Sequence, residues 1–253
     1  MPMNPLRVTF DIEISPNVTK TYDPYDARIV SILRNQFIYS FAYKWSHEKT
    51  THVVALPDFP LYKKDKTNDI EVIKALWQMF DRAHVLVGHN VRKFDIPKVN
   101  TRFAYHKLGS PSPYVTQDTL LDARRYFSYP GGNSLSELAR FHGLDAKGHM
   151  GADEWESCEQ GNEKAWRYEK RYNKRDVDIT EKIYLIQQPF VTSRQFNMEV
   201  LTGQRGVCPS CGSHRLLQHK TQPTKYGLRL QYKCGDCGSY TTQRKTENAS
   251  DLA

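Results

Sequence analysis

The sequence lacks any long run of apolar residues. No stretch approaches the roughly 18 apolar residues that a membrane span requires, and the first residues, MPMNPLRV, lack the charged-then-apolar order of a signal peptide. We therefore predict a soluble, cytoplasmic protein with no membrane partner. The sequence also has no internal repeat and no low-complexity tract.

Cysteine is scarce, and its five residues are distributed unevenly. Four of them form two Cys-x-x-Cys pairs, Cys208 with Cys211 and Cys234 with Cys237, whereas Cys158 stands alone. In a reducing compartment this pattern favours a bound metal over disulfides.

Composition and charge indicate a folded, basic protein. A hydrophobic fraction of 39% excludes general disorder, and 253 residues are enough to bury a substantial core. The formal net charge of +8 favours an anionic partner, and nucleic acid is the most economical choice.

Strand and helix patterns alternate up to about residue 195. The strand-like runs are QFIYSFAYKW, THVVAL and HVLVGHN, and the helical ones are DIEVIKALWQMF, FDIPKVNTRFAYHKLG, SLSELARFHG and a long helix from about Glu163 to about Ile186. This order predicts an α/β domain over residues 1–198, with a mixed sheet flanked by helices. Short alternating runs and cysteine pairs then predict a small domain over residues 203–246, followed by a disordered tail over 247–253.

Two carboxylates interrupt the first predicted strand, LRVTFDIEIS. Its apolar residues alternate with polar ones, so Asp11 and Glu13 point to the same side. Two like charges at this spacing repel, and each raises the pKa of the other unless a positive charge lies between them. The strand therefore calls for a positive group close to both side chains.

A further carboxylate lies in the long helix. Its inward stripe, taken at spacings of three and four residues, is predicted to hold Tyr168, Tyr172, Asp176, Ile179, Ile183 and Ile186. An aspartate facing the core is costly unless it is paired or bound to a metal. Taken alone, Asp176 could pair with an arginine at the edge of the stripe, and Asp95, at the start of another helix, could be a helix cap.

Taken together and in order, three segments resemble the motifs of the DEDD superfamily of 3′-5′ exonucleases, which have an RNase H-like fold. The segments are FDIE, GHNVRKFD and YNKRD. The tyrosine four residues before the last aspartate is similar to the DEDDy branch, because the sister branch has a histidine where this chain has Arg171. The three motif sequences most resemble those of the exonuclease domains of family B DNA polymerases. Together with the terminal cysteine pairs, they resemble stand-alone, phage-type versions of that domain.

The resemblance covers about residues 6–190 and implies two Mg²⁺ or Mn²⁺ ions as the missing positive charge. Asp11 would bridge both ions. Glu13 and Asp176 would complete the shell of the first ion, and Asp95 would hold the second, largely through water. Tyr172 would orient a water, since a phenol with an ordinary pKa of about 10 suits positioning better than service as a base.

Three other residues are weaker candidates for substrate contacts. Asn90 is predicted to bond nearby backbone, with a substrate contact as the alternative. Phe94 is predicted to lie in the core and is kept as a weak substrate candidate. Lys147 belongs to the glycine-bearing loop DAKGHMGADEW, which is predicted to be solvated, with a phosphate contact as the alternative.

The two cysteine pairs predict one structural Zn²⁺. They are separated by 22 residues, as two knuckles around a β-hairpin would be, and tetrahedral Zn²⁺ takes four thiolates. A rubredoxin-type iron centre uses similar spacing and remains the alternative. A domain this small cannot hold a core without a metal.

The ribbon around the cysteines is also predicted to bind nucleic acid. Between Cys208 and Lys245 it has one acidic residue, Asp236, and seven basic ones: Arg215, Lys220, Lys225, Arg229, Lys233, Arg244 and Lys245. Interleaved tyrosines, Tyr226, Tyr232 and Tyr240, could stack on bases while the basic groups contact phosphates. The alternative is a ribbon that only docks a replication or repair protein.

These features predict a metal-dependent 3′-5′ exonuclease acting on single-stranded or frayed DNA. RNA, or a structured junction cut internally, stays open as the substrate, because DNA is told from RNA by 2′-hydroxyl contacts that motifs do not reveal. A non-catalytic nucleic-acid-binding module is the remaining alternative. The presence of all four carboxylates and the tyrosine argues against it.

Overall fold

The computed structural model describes residues 6–23, 25, 28–145, 148, 150–192, 196–225 and 227–244. They divide into two units, Leu6–Ile183 and a second one that takes in the chain from Tyr184 onwards. The predicted tail over 247–253 lies outside the described residues. Within the described part, none of the helices has the length and apolar character needed to cross a bilayer.

The first unit contains seven strands and most of the helical structure. Its strands are β1 (Arg7–Ile14), β2 (Val18–Lys20), β3 (Ser31–Arg34), β4 (Ile38–Trp45), β5 (His52–Ala55), β6 (Val85–Gly88) and β7 (Val115–Asp118). Its helices are α1 (Ile70–Arg82), α2 (Asp95–Tyr105), α3 (Thr119–Tyr126), α4 (Leu135–Phe141), α5 (Ala152–Gln160) and α6 (Glu163–Gln187), the last of which continues into the second unit.

Five strands form one mixed sheet in the order β5-β4-β1-β6-β7. The central strand β1 is antiparallel to β4 and parallel to β6, and β6 is parallel to β7. The parallel pairs require helical crossovers, which α1 and α2 provide. The predicted α/β class with a mixed sheet is confirmed.

The apolar residues of β1 anchor this sheet. Val8, Phe10 and Ile12 are at most 3% exposed, and the ring of Phe10 meets that of Phe80 from α1 edge to face, with centroids 5.1 Å apart. Burial of such side chains contributes roughly 1.5–3 kcal/mol each. The strand that carries Asp11 and Glu13 is therefore held firmly from its apolar side.

The long helix α6 begins and ends close to the predicted residues, but its inward stripe differs from the prediction. Ile179 and Ile183 are buried as expected, whereas Tyr168, Tyr172 and Asp176 are only partly buried. The positions that directly follow Tyr168, Tyr172 and Ile179 are fully buried, and they hold the polar residues Glu169, Asn173 and Thr180. The prediction followed apolar character, and here polar side chains occupy the most enclosed positions.

Four short elements were not predicted from the sequence. The segment between the first predicted strand and QFIYSFAYKW, for which no strand was predicted, contains the antiparallel pair β2 and β3. Helix α5 starts inside the segment predicted to be a glycine-bearing loop, and β7 has only four residues. Such short elements take their stability from their neighbours, so local patterns reveal them poorly.

The second unit contains the cysteine pairs. Its elements are α7 (Met198–Thr202), β8 (Leu216–Thr224), β9 (Gly227–Cys234) and β10 (Tyr240–Arg244), and the strands form an antiparallel sheet in the order β10-β9-β8. The hairpin predicted between the two cysteine pairs corresponds to β8 and β9. The third strand, β10, adds to this hairpin and completes a three-stranded sheet.

One buried aspartate, Asp118, holds the turn between β6 and α2. Its side chain accepts hydrogen bonds from the backbone amides of Asn90 at 3.0 Å and Arg92 at 3.1 Å, and it also caps α3 through the amides of Leu120 and Leu121. Asn90 itself adopts a left-handed conformation, with φ of 64°. The entry of α2 is therefore fixed by a side chain from the neighbouring strand end.

We expect Asp118→Ala to lower the free energy of unfolding by about 2–4 kcal/mol, because several buried amides lose a charged acceptor. Urea denaturation followed by far-UV circular dichroism measures this loss. The exposed Glu163→Ala is the matched control and should change stability by less than about 0.5 kcal/mol. Equal stability of the two variants would contradict the role given to Asp118.

Candidate active site

Asp11 and Glu13 lie on the central strand β1, and both keep some exposure to solvent. On one side they pair with Ala42 and Ser40 of β4. On the other side, β6 pairs with β1 only through Arg7–Thr9, so this edge of β1 is open where the carboxylates lie. The site is therefore formed where two parallel strands diverge.

Asp95 fills the opening beside β1. It is the first residue of α2 and is 3% exposed, and its Oδ1 accepts a hydrogen bond at 3.3 Å from the amide of Ile12, which lies between the two strand carboxylates. Asp95 is thus more than a helix cap, because it reaches across to another element. This bond ties the second acidic segment to the first.

Asp176 and Tyr172 bring in the third segment, from α6. The Tyr172 hydroxyl donates a hydrogen bond to the Asp176 carboxylate, one helical turn away. Arg175 Nε lies 3.8 Å from Asp176 Oδ1, which is too long for a hydrogen bond, and its guanidinium lies 5.2 Å from the centre of the Tyr172 ring. The alternative prediction, in which Asp176 only pairs with an arginine, therefore explains part of the surroundings of Asp176 but not its contact with Tyr172.

A small cavity of about 200 Å³ opens beside this end of the site. It is lined by Leu135, Ser136, Gly148, Tyr172, Arg175, Asp176 and Ile179. The phenol and the carboxylate are therefore accessible to a small group or to water.

The carboxylates are electrostatically coupled. Burial raises the pKa of Asp11 well above its usual value, and the negative charges of Asp95, Glu13 and Asp176 raise it further. Burial also raises the pKa of Glu13, followed by the charges of Glu169, Asp176 and Asp95. The four side chains therefore form one acidic cluster.

The remaining members of the cluster show the same pattern. Burial raises the pKa of Asp95 to about 7, despite hydrogen bonds from backbone amides that lower it. Burial raises the pKa of Asp176 as well, and the bond from Tyr172 partly offsets the increase. For Tyr172, burial and then the Asp176 charge raise the pKa, so the phenol stays protonated near neutral pH.

No basic side chain neutralises the strand carboxylates. In the part of the chain that the structure describes, none of Asp11, Glu13 and Asp95 forms an ion pair with a lysine or arginine. The donors are all carboxylate oxygens, which suit hard divalent cations such as Mg²⁺ or Mn²⁺. The residues present therefore fit the metal ions that the sequence predicts.

The weaker candidates have mixed outcomes. The backbone amide of Asn90 bonds Asp118, in agreement with a structural role. The prediction that Phe94 lies in the core is wrong, since 40% of it is exposed at the start of α2, where Lys98 Nζ lies 5.9 Å from its ring centre. An aromatic residue next to a helix start was taken for core on hydrophobicity alone. Lys147 lies outside the described residues.

Three buried polar residues next to the site were not predicted from the sequence. Glu169 and Asn173, on α6, and Ser40, on β4, are all fully buried and hydrogen-bonded to one another through the Ser40 hydroxyl. The signal that could have found Glu169 is its spacing, three residues before Tyr172 and seven before Asp176, which places it on the same side of the helix.

The four cysteines of the second unit form a cluster in which all sulfurs lie within 4.8 Å of one another. Cys208 Sγ lies 3.6 Å from Cys237 Sγ, and Cys211 Sγ lies 3.7 Å from Cys234 Sγ. A tetrahedral zinc with bonds of about 2.3 Å places its sulfurs about 3.8 Å apart, whereas a disulfide needs about 2.05 Å. The cluster could therefore bind zinc. Among the described residues, no three carboxylates are gathered this closely.

The raised pKa values predict that Asp95→Asn stabilises the metal-free protein at pH 8 but not at pH 5. A carboxyl with a pKa raised by folding binds protons more tightly when folded, so stability is lost as pH rises from about 4 to about 7. Asparagine avoids this loss. Thermal denaturation without divalent ions should show a gain on the order of 1–3 kcal/mol at pH 8, and the exposed Asp153→Asn should show none. A stability difference between Asp95→Asn and the wild type that does not depend on pH would contradict a raised pKa for Asp95.

Comparison with known proteins places this chain in a family. Residues 33–186 match a model of the RNase H superfamily. The matched range includes Asp95, Tyr172 and Asp176, whereas Asp11 and Glu13 precede it. The structure is similar to that of a family B DNA polymerase from the hyperthermophilic archaeon Pyrobaculum calidifontis, with 14% identity and a TM-score of 0.48, over 88% of this chain and 32% of the polymerase. The chain thus spans about a third of that polymerase. No curated protein matches. The chain belongs to the RNase H superfamily.

Proposed function

We propose that the protein is a two-metal-ion 3′-5′ exonuclease of the DEDDy type. The observation that carries the proposal is the convergence of three separate segments on one acidic cluster, with a tyrosine bonded to one of its carboxylates. Carboxylates whose pKa values are raised by burial and by neighbouring negative charges are typical of a functional site, and Asp11 and Glu13 have no lysine or arginine ion-pair partner among the described residues. The order of the motifs along the chain supports the exonuclease assignment.

The cluster would hold two Mg²⁺ or Mn²⁺ ions through Asp11, Glu13, Asp95 and Asp176. Bound ions would supply a hydroxide nucleophile near neutral pH and stabilise the oxygen that leaves from phosphorus. The bond from the Ile12 amide holds Asp95 beside the strand carboxylates before any ion binds. Such preorganisation lowers the cost of assembling the site.

Tyr172 would orient the attacking water. Its raised pKa keeps the hydroxyl protonated, so it can act as a hydrogen-bond donor or acceptor and not as a base. Its hydroxyl lies next to the Asp176 carboxylate, and the cavity beside both side chains leaves space for a small reactant. The residue therefore positions a water and does not take up its proton.

The substrate is proposed to be the 3′ end of single-stranded or frayed DNA. The net charge of +8 favours a polyanion. Phe94 presents an exposed ring directly before Asp95, where a terminal base could stack, and Lys98 is close enough to that ring to meet a phosphate. An unpaired terminal nucleotide is needed to use such a ring.

The ribbon, proposed to span residues 203–246 and to hold one structural Zn²⁺, would add a second nucleic-acid contact. Strand register places Lys220, Arg229 and Lys233 on the same face as Tyr240. Lys233 Nζ lies 5.8 Å from the Tyr240 ring centre, and His219 packs against that ring. We call this surface, Lys220, Arg229, Lys233 and Tyr240, the basic face.

Other ribbon residues contribute less to the basic face. Arg215 forms an exposed ion pair with Asp236 at 2.5 Å, so its charge is partly compensated. Tyr232 alternates to the opposite side of β9 from Lys233. Tyr226 and Lys245 lie outside the described residues.

End-labelled substrates test the function. With Mg²⁺ or Mn²⁺, we expect 3′-labelled single-stranded DNA to release labelled mononucleotides at once, and 5′-labelled DNA to shorten stepwise. Asp11→Ala should retain less than about 1% of the activity, because removing a shared ligand costs several kcal/mol of barrier. The same assay with labelled RNA and labelled duplex DNA shows which class of nucleic acid is cleaved fastest. Internal cuts would indicate a structure-specific nuclease, and binding without cleavage a non-catalytic module.

Tyr172→Phe should reduce kcat by about 10- to 1,000-fold while leaving divalent-ion affinity nearly unchanged, because it removes one positioning hydroxyl and no metal ligand. Tyr168→Phe, which removes a hydroxyl one turn earlier on the same helix, is the matched control and should retain kcat within about threefold. Stopped-time assays give kcat, and calorimetric titration with Ca²⁺ gives the affinity. Lost ion binding in Tyr172→Phe would make the tyrosine a support for Asp176.

Lys220→Ala combined with Lys233→Ala should weaken DNA binding but keep kcat at saturating substrate within about threefold. Each lost phosphate contact should reduce the slope of log affinity against log salt by about 0.7 for single strands. Fluorescence anisotropy in Ca²⁺ measures both the affinity and the salt slope.

The double variant Cys208→Ser with Cys211→Ser should weaken DNA binding in the same way and should reduce bound zinc from about one per chain to none. Iron bound to the wild-type protein would indicate the rubredoxin-type alternative. Unchanged affinity and slope would favour a ribbon that docks a protein.

A further inference from the structure

Glu169 is a fifth carboxylate for which the proposed mechanism has no use. It lies on α6 and is fully buried, with 0% exposure. Its Oε1 accepts a hydrogen bond from the Ser40 hydroxyl, but its Oε2 is buried and has no hydrogen-bond partner among the described residues. Burial raises the pKa of Glu169 to about 7, and the charge of the adjacent Lys170, which also forms an ion pair with Asp58, offsets this increase only in part. A carboxylate in this position is costly unless something positive compensates for it.

A second buried acceptor beside Glu169 is also unsatisfied. Asn173, one turn later on the helix and 0% exposed, donates its Nδ2 to the Ser40 hydroxyl at 3.3 Å, while its Oδ1 has no partner. Both unpartnered atoms carry negative charge or partial charge. Native proteins rarely leave two such acceptors together, so an unexplained pair points to a nearby positive group.

The strand register connects this pair of acceptors to the acidic cluster. Ser40 of β4 is the cross-strand partner of Glu13 of β1, and residues paired in this way lie on the same face of a sheet. The negative charge of Glu169 acts on Glu13 more strongly than that of any other carboxylate, and it acts on Asp11 as well. Glu169 is therefore within electrostatic reach of both strand carboxylates.

We propose that Glu169 is a positioning residue of the metal site: its buried negative charge, held by Ser40 opposite Glu13, increases the affinity of the cluster for divalent ions. This inference rests on the proposed function. Glu169 acts through the potential at Glu13 and Asp11 and does not touch the substrate. Partners of this kind behind metal ligands typically change metal affinity by about 10- to 100-fold.

Two substitutions separate the charge of Glu169 from its packing. Glu169→Gln keeps the size and an acceptor for Ser40 but removes the charge, whereas Glu169→Asp keeps the charge but shortens the side chain. The proposal therefore expects Gln to be the more harmful change for ion binding. A purely structural role expects the opposite order, because aspartate leaves a void where glutamine fills the space.

The test is calorimetric titration of the full chain with Ca²⁺ at pH 8, together with kcat at saturating Mn²⁺ and thermal denaturation. We expect Glu169→Gln to weaken Ca²⁺ binding by about tenfold or more and Glu169→Asp by less than about threefold. Both should keep kcat at saturating Mn²⁺ within about threefold. Asp122→Asn is the matched control, since Asp122 is a buried carboxylate that accepts a bond from Gln117 and does not act on Asp11 or Glu13.

Three results would overturn the inference while leaving the nuclease proposal intact. These are unchanged Ca²⁺ affinity in Glu169→Gln, weaker binding in Glu169→Asp than in Glu169→Gln, or a loss of kcat at saturating Mn²⁺, which would make Glu169 a metal ligand. Failure of the proposed function looks different, because the wild-type protein itself would then neither bind Ca²⁺ at the cluster nor cleave DNA.

Discussion

The repulsion among buried carboxylates is the constraint on which the rest of this structure depends. Four acids from three segments share one opening, and burial raises the pKa of each of them. Charges placed so close together push their segments apart, so the surrounding fold must hold them by other means. The apolar side of β1 and the bond from the Ile12 amide to Asp95 provide that restraint.

The divergence of β6 from β1 gives the site its access. Because β6 pairs with β1 only up to Thr9, the next residues of β1 have a free edge, and Asp95 occupies it in place of a strand. Asp118 fixes the intervening turn from the end of β7, so the position of Asp95 depends on the next strand in the sheet. The ends of two neighbouring strands and the turn between β6 and α2 thus determine where Asp95 lies.

The sequence singled out the candidate site residues more readily than the residues that support them. Regular spacings within a strand and a helix set Asp11, Glu13 and Asp176 apart, whereas Asp95 was singled out only by the resemblance of the ordered motifs to a known family. The helical spacing of Glu169 places it on the side of Tyr172 and Asp176, but spacing alone does not show that it is buried, since that burial arises from packing against β4, far away in the sequence. The exposed Phe94 was misplaced for the converse reason, because hydrophobicity alone does not say whether a ring meets protein or solvent.

The two candidate metal sites of this chain differ completely in their donor atoms. One unit offers only carboxylate oxygens, and the other offers four sulfurs within 4.8 Å of one another. Thiolates select zinc and other soft ions, whereas carboxylates and water suit magnesium and manganese. If each centre binds the ion proposed for it, a single polypeptide would carry two chemically different metals, each favoured by the donor atoms of its own centre.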